Sequence, residues 1–463
     1  MGNFKVAIIG GGLAGCLLGN GLLQHDVDFA VYESDPADAK REGYQIRLGG
    51  PALEGFKVCM TEEQLSKLYP LFGRSGGILS SAPITYDIHM NPLLDLTKFP
   101  AYTKSAPINR IVLVNFLSQW LVDAGKLQYG KRYVGYEILA PTETSRTKVR
   151  AHFDDGTSND CDLLISAEGS RSKINRQIGL NNIVQLKESW MFLAKGNLPP
   201  SKLLNLCPEI RKAPVGAFKN GMMLFISAYL PDGYNRPDAV NNQKTREGLD
   251  YDSKIASIFW CLTVPTSSVP GGDAKNVSNK LDFCVELIKD WDVRFHEMLR
   301  TINNDSITAF QPRTSTEPPR GWRQKASDLS DPAKGNDHVW LLGDAFHAML
   351  PGRGMGGNQA MRDTVDMLPR ILDLARRAKP DTLQEEDFAT AVNKYETTMA
   401  PRAFGWVKAS GGSGEIHVPN LDGIKGWLTV FAISRVLDLA YIYGLVLNVF
   451  GFGPKDDAPE LPN

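Results

Sequence analysis

Short apolar runs and helical periodicity alternate at the start of the chain. Lys5-Val-Ala-Ile-Ile9 is apolar and β-branched without polar alternation, the pattern of a parallel strand buried on both faces. A glycine-rich turn follows, then a helix predicted over Leu13 to Gln24; Asp28 to Glu33 predicts the next strand. Together they make a β-α-β unit of about thirty residues, the size such a crossover needs. Apolar positions at helical spacing predict a helix from Ile108 to Leu121, and Asp162-Leu-Leu-Ile-Ser166 predicts another buried strand.

Between residues 186 and 265 the pattern changes to separate strands: Ser189 to Lys195, Val215 to Phe218, Met222 to Tyr229 and Ser257 to Val264. Lys219-Asn220-Gly221 supplies a tight hairpin turn between two of them. Val339 to Leu342 returns to a parallel-type strand, followed by a glycine-rich loop and a helix over Asn358 to Arg376. From Thr382 the chain reads as mainly helical, while 235–250 and 265–280 read as polar loops. The expected fold is α/β, with a mainly antiparallel sheet inserted into a discontinuous Rossmann-like domain. The boundaries that follow are 1–75, 104–182 and 331–400 for the nucleotide-binding parts, 76–103 and 183–330 for the inserted substrate domain, and 401–463 for a helical C-terminal region.

Trp427 to Phe452 is strongly apolar, but Arg435 and Asp438 interrupt it at i,i+3. Leu439 to Phe452 is left free of charge, shorter than the roughly 20 residues needed to cross a bilayer. A buried or interface helix is favoured, with monotopic membrane contact the lesser alternative. Over all 463 residues, 51 basic and 52 acidic side chains give a formal net charge of -1, which asks for no nucleic-acid partner. The six cysteines show no CxxC or metal-ligand spacing, so no metal site is expected and the thiols suit a reducing compartment. Met1 leads directly into the apolar run with no charged n-region, so the expected location is cytoplasmic.

Two loops carry the chemistry. Gly10-Gly-Gly12-Leu-Ala-Gly15 is a GxGxxG placed after a strand and opening a helix. Gly10 permits the tight turn, Gly12 lets backbone approach a pyrophosphate, and Gly15 allows close helix–strand packing. The helix N-terminus offers free N–H groups to phosphates, and Glu33, at the end of the second strand, is placed to accept from a ribose diol. This unit shows that a dinucleotide is bound without separating FAD from NAD. The second loop is Gly343-Asp-Ala-Phe-His347, followed by Pro351-x-x-Gly354-x-Gly356-Gly357-Asn358. Backbone N–H groups at Gly354, Gly356 and Gly357, at a helix start, can stabilise negative charge on reduced flavin.

With this second loop the chain resembles the single-component FAD-dependent aromatic hydroxylases, the class of para-hydroxybenzoate hydroxylase, and within it the tetracycline-inactivating and polycyclic natural-product monooxygenases. The resemblance runs from about residue 4 to 410. It implies that Asp344 binds the ribityl chain of FAD and that Pro351 to Asn358 lies along the pyrimidine edge of the ring. It places Arg41, beyond the second strand, and Arg110, in an R-x-x-L-x-x-x-L helix, against FAD. Glu168-Gly169 stands where the family carries Asp-Gly, one methylene longer. Trp291-Asp-x-Arg294 also resembles the tetracycline-oxidising branch. The implied chemistry is reduction by NADPH or NADH, reaction with O2 to a C4a-hydroperoxyflavin, and hydroxylation or epoxidation of an aromatic or polycyclic substrate. Such a role suits secondary metabolism or xenobiotic breakdown.

The substrate pocket is expected between the inserted sheet and the flavin. Gln45 and Arg47 are candidate polar contacts, and Trp190, Phe192, Met223, Phe225 and Trp260 a candidate aromatic wall for a hydrophobic small molecule, although core packing explains any one of them alone. His347 reads as structural, so no side chain is assigned as catalytic acid or base. Baeyer–Villiger oxygenation and a flavin-dependent prenyl-chain reductase remain alternatives, as does a non-enzymatic relative that binds prenylated proteins; a halogenase is disfavoured because no W-x-W-x-I-P segment occurs. Monomer and homodimer stay open.

Overall fold

The computed structural model describes residues 4–39, 45–72, 83–96, 105–142, 146–229, 256–379, 382–412 and 423–450. A five-stranded parallel sheet forms in the order Val339–Leu341, Leu163–Ser166, Lys5–Ile9, Asp28–Tyr32, Leu127–Gln128. Its strands come from four separated stretches of chain. The apolar runs match their setting here: Val6, Ala7 and Ile8 are fully buried, with the Leu13–Gln24 helix and strands Lys148–Phe153 and Ser158–Cys161 packed against the sheet. The Leu13–Gln24, Arg110–Asp123 and Gly356–Ala378 helices pack around it.

The second large sheet has seven strands, in the order Ile307–Phe310, Ser189–Leu198, Ala256–Pro265, Met222–Tyr229, Val215–Lys219, Ile84–Tyr86, Pro92–Asp95. Its pairs are antiparallel except Val215–Lys219 beside Ile84–Tyr86. The hairpin turn falls on Asn220 (φ 51°) and Gly221 (φ 73°), both left-handed, as a two-residue turn of this hand requires. Ile84–Tyr86 and Pro92–Asp95 are too short to show a period, and no strand was expected there. The same holds for the meander Tyr133–Leu139, Lys148–Phe153, Ser158–Cys161. A ribbon of Gln45–Leu48 and Ala106–Asn109 lies between the two sheets, with Gln45–Leu48 passing against Ala256–Pro265.

Each sheet has its own core, one containing Phe29, Phe56 and Trp340, the other Phe192, Trp260 and Phe295. The Glu385–Ala409 helix runs unbroken through residue 400, where the sequence suggested a boundary. The apolar C-terminal stretch forms the Gly423–Val449 helix, whose Arg435 and Asp438 pair at 2.8 Å. Leu428, Phe431, Val436, Leu439, Ile442 and Tyr443 on it are exposed. Among the described residues no helix is long and apolar enough to cross a membrane. The expected 235–250 loop lies outside the described residues.

Candidate functional site

The glycine loop divides its labour as the chemistry of close approach requires. Gly10 adopts φ +116°, and a Cβ there would meet the Ala167 carbonyl oxygen at 2.3 Å. A Cβ on Gly15 would lie 2.1 Å from the Gly10 carbonyl oxygen, so the helix can sit this close to its strand only without a side chain. Gly12 differs: a Cβ there would meet nothing within 4 Å. Gly12 caps the Leu13–Gln24 helix with no side-chain hydrogen bond, and the first turn holds no acidic residue. Its free N–H groups and positive dipole end are therefore available to an anion.

Glu33 reaches back over this loop. Its Oε2 accepts from the Gly11 N–H at 2.9 Å, and its Oε1 accepts from the Asp35 N–H at 2.9 Å. The carboxylate thus braces the loop from the end of its strand. Arg41 lies outside the described residues. Glu168 is turned inward, accepting from Ser172 Oγ (2.8 Å), Ser166 Oγ (3.1 Å) and the Ile174 N–H (3.1 Å) at the start of the Lys173–Gln177 helix. The extra methylene gives Glu168 the reach for this internal cap.

The second loop meets the first at a second helix start. The Gly356–Ala378 helix also begins without a side-chain cap or an acidic first turn. A Cβ on Gly357 would find only Leu13 Cδ1, at 3.7 Å, so the two helix N-termini stand side by side. Pro351–Arg353 and Gly354 (φ +63°) form an exposed turn, and a Cβ on Gly354 would again meet nothing. Asn358 has a bridging role that the motif alone did not reveal. Its Nδ2 donates to the carbonyls of Arg47 and Gly354 at 3.0 Å each, and its Oδ1 accepts from the Gly49 N–H at 2.8 Å. The loop and the Gln45–Leu48 strand are thereby fixed to one another.

Asp344 follows Gly343, whose φ 62°, ψ -137° suits glycine alone. Burial pushes the Asp344 carboxyl up, His347 draws it back down, Asp363 opposes that, and Arg110 adds a further downward pull. Arg110 sits at the first position of its helix, capped by Asn109, and among the described residues no hydrogen bond or ion pair holds its guanidinium. His347 is fully buried and lies 2.6 Å from Asp363, in keeping with a structural role. Two uncapped helix starts, side-chain-free approaches at Gly12 and Gly354, and Arg110 near Asp344 fit an elongated, anionic dinucleotide.

The candidate substrate residues do not form one wall. Strand parity decides this. Trp190, Phe192 and Trp260 lie opposite Val264, Leu262 and Ala194, on the face shared with Leu224 and Ile226. That face is filled by helices: Phe192 packs on Phe283 at 5.3 Å, and Trp260 Nε1 donates to the Leu299 carbonyl at 3.2 Å. Trp190 Nε1 donates to the Gly272 carbonyl at 3.1 Å. Phe192 and Trp260 are core residues and Trp190 packs, partly buried, against the same core, because an aromatic in a strand buries on whichever face is covered. Met223 and Phe225 point to the opposite face, with Met191, Leu193, Phe259, Cys261 and Thr263. Phe225 and Phe259 meet edge to face at 6.2 Å. Sequence reading missed Met191, Phe259, Cys261 and Thr263; counting alternation from Phe225 across a known register would have found them.

Arg47 donates to Ser105 through Nε (3.1 Å) and Nη2 (2.7 Å), and burial pushes its guanidinium down to about 10, still charged at neutral pH. The Gln45 side chain lies outside the described set. Among the described residues no cluster of three or more His, Cys, Asp or Glu could hold a metal ion.

The model of the FAD binding domain family matches residues 294–389. A dual O-methyltransferase/FAD-dependent monooxygenase from Phaeosphaeria nodorum is 23% identical over 446 residues, covering 88% of this chain and 45% of that protein. An FAD-dependent monooxygenase from Talaromyces islandicus is 25% identical over 402 residues, covering 86% and 89%. Among solved structures, a tetracycline destructase superposes with a TM-score of 0.55 at 16% identity, over 95% of this chain and 98% of that one, a likeness of fold. The chain spans under half of the first relative and most of the second. The resemblance read from the two loops stands, and FAD is the cofactor.

Proposed function

We propose that this FAD-dependent monooxygenase uses NADPH or NADH and O2 to hydroxylate or epoxidise an aromatic or polycyclic hydrophobic small molecule. One observation carries the reading. Asn358 clamps the second glycine loop to the Gln45–Leu48 strand, and that strand passes against the seven-stranded sheet. Helices fill one face of that sheet, so the face of Met223, Phe225 and Phe259 is the one that can border the cofactor loop. An apolar wall and a charged Arg47 edge together suit a flat, mostly hydrophobic substrate carrying a polar group.

In this reading the Gly12 and Leu13 end of the first helix takes the pyrophosphate, and Gly10 and Gly15 permit its approach. Glu33 takes the ribose, while Arg110 and Asp344 hold the chain between phosphate and ring. Gly354, Gly356 and Gly357 turn backbone N–H groups toward the ring edge beside Pro351. Arg41 joins the phosphate side. FAD held by these residues would supply the redox and oxygen-transfer chemistry. The protein contributes orientation, a water-poor wall at Phe225 and Phe259, and positive potential from two helix ends. The match to a Talaromyces FAD-dependent monooxygenase supports the oxygenase reading.

The test begins with purification. Protein that is yellow and releases FAD on denaturation is expected; colourless protein that takes up no FAD sinks the reading. Hydrophobic aromatic compounds are then screened for stimulated NADPH oxidation, with product mass checked for a gain of one oxygen. Peroxide without oxygenated product across the screen counts against the substrate class. A ring-expanded ester assigns Baeyer–Villiger insertion instead.

A further inference from the structure

Behind the second glycine loop lies a buried ionic network that the cofactor motifs do not include. Asp363, two turns into the Gly356–Ala378 helix, is fully buried. Its Oδ2 accepts from the Gly343 N–H at 3.0 Å and lies 2.6 Å from His347 Nε2. Its Oδ1 accepts from Arg402 Nη2 at 2.8 Å. Arg402 belongs to the Glu385–Ala409 helix, beyond the residues 294–389 that match the FAD binding domain. It also binds Asp366 at 3.1 Å and Gln359. One arginine therefore ties three positions of the cofactor-facing helix to its neighbour.

The partners of Asp363 are the residues that bracket Asp344. Gly343 precedes it in a backbone conformation open to glycine alone, and that conformation directs the Asp344 side chain. His347 ends the same short helical turn, and its Nδ1 is buried with no hydrogen-bond partner among the described residues. A buried carboxylate without counter-ions is costly, so Asp363 holds both donors with His347 and Arg402 neutralising it together.

We infer that Arg402 is a positioning residue for the cofactor: through Asp363 it fixes Gly343 and His347, and with them the Asp344 carboxylate. The inference rests on the assignment of Asp344 to FAD. It makes the link between the Gly356–Ala378 and Glu385–Ala409 helices part of the flavin site, although Arg402 need touch no flavin atom.

The test compares apo-protein of the wild type with Arg402→Gln, Arg402→Lys, Asp363→Asn and Glu396→Gln. Glu396 is the matched control. It lies on the same helix, six residues away, and makes a similarly buried pair with Arg323 at 2.8 Å that bonds to neither Gly343 nor His347; its one link to the loop among the described residues is Trp322, which packs on Phe346. FAD affinity is read by flavin fluorescence quenching, apo-protein stability by melting, and the midpoint potential of bound flavin by dye-coupled reduction. Arg402→Gln and Asp363→Asn are expected to weaken FAD binding roughly tenfold or more. With Arg402→Gln the potential is also expected to shift negative, because loss of the Arg402 charge leaves Asp363 compensated by His347 alone and disfavours reduced, anionic flavin. Arg402→Lys recovers part of the affinity. Glu396→Gln melts earlier but binds FAD within about twofold of the wild type. If affinity falls in step with melting temperature for Glu396→Gln as well, or Arg402→Gln binds FAD like the wild type at an unchanged potential, the inference is overturned. Should Arg402→Gln fail to fold, Arg402→Lys and Asp363→Asn carry the same comparison. A wild type that binds no FAD instead sinks the cofactor assignment itself.

Discussion

Replacing Gly12 by alanine should separate cofactor binding from folding. At Gly12 the added methyl meets no protein atom within 4 Å, and the backbone, at φ -80°, ψ -170°, is one that alanine adopts freely. The folding cost is the weaker helix N-cap of alanine against glycine, about 1 kcal/mol. In a chain of this size that lowers the apo-protein melting temperature by no more than about 2–4 °C. The same methyl occupies the approach to the free N–H groups of the first helix turn. Losing one hydrogen bond to a charged phosphate costs about 1.5–3 kcal/mol, or roughly 10- to 100-fold in FAD affinity. Gly15→Ala is the opposite case. Its methyl would sit 2.1 Å from the Gly10 carbonyl oxygen, so the helix must move away by roughly 1 Å, an overpacking cost of about 1–3 kcal/mol or more. Fluorescence titration with FAD and melting of the apo-protein read the two effects separately. Gly12→Ala that binds FAD as tightly as the wild type, or melts as early as Gly15→Ala, would refute the assignment of Gly12 to the phosphate.

Other predictions test the sheet, the thiols and the ionic network. Trp260→Ala should destabilise the protein by about 3–5 kcal/mol in denaturant melts, while Phe225→Ala should cost less and instead alter which substrates stimulate NADPH oxidation; the reverse pattern would exchange the two faces. All six cysteines are free, and burial pushes the thiols of Cys59, Cys161 and Cys261 up to about 12. Iodoacetamide at pH 8 should therefore label the half-buried Cys207 at most, and all six after denaturation, by intact mass. Burial alone would raise the Asp363 carboxyl, but His347 and Arg402 hold it below the usual 3.8; its contribution is complete above that value and lost as acid lowers the pH further. Burial opposes the His347 imidazolium, yet Asp363 and Asp344 raise it above 6.5, with Arg402 opposing; that contribution is complete below 6.5 and lost as pH rises through the folded value. Wild-type melting temperature should thus decline toward alkaline pH more steeply than that of His347→Gln, and equal slopes would exclude the assignment.

Both glycine loops and the strands that feed them were legible in the sequence, because their requirements are local. A strand buried on both faces needs a continuous apolar run, a helix start facing an anion needs glycines, and Gly10 needs a residue tolerant of φ +116°. The hairpin at Asn220-Gly221 was legible for the same reason. What the sequence left open were relations between distant residues. The side of the sheet on which Trp260 or Phe225 falls depends on register and on where the helices carrying Phe283 and Leu299 pack, and neither is encoded near the strand itself. Asn358 reads as a motif residue, yet its partners Arg47 and Gly49 lie more than three hundred positions away. Asp363 and Arg402 look like ordinary charges on amphipathic helices until packing buries one and obliges the other to neutralise it. Local backbone chemistry thus determined the two glycine loops and the helix starts behind them. Tertiary packing alone decided which face of the sheet the helices cover and which buried charges lie behind the second loop.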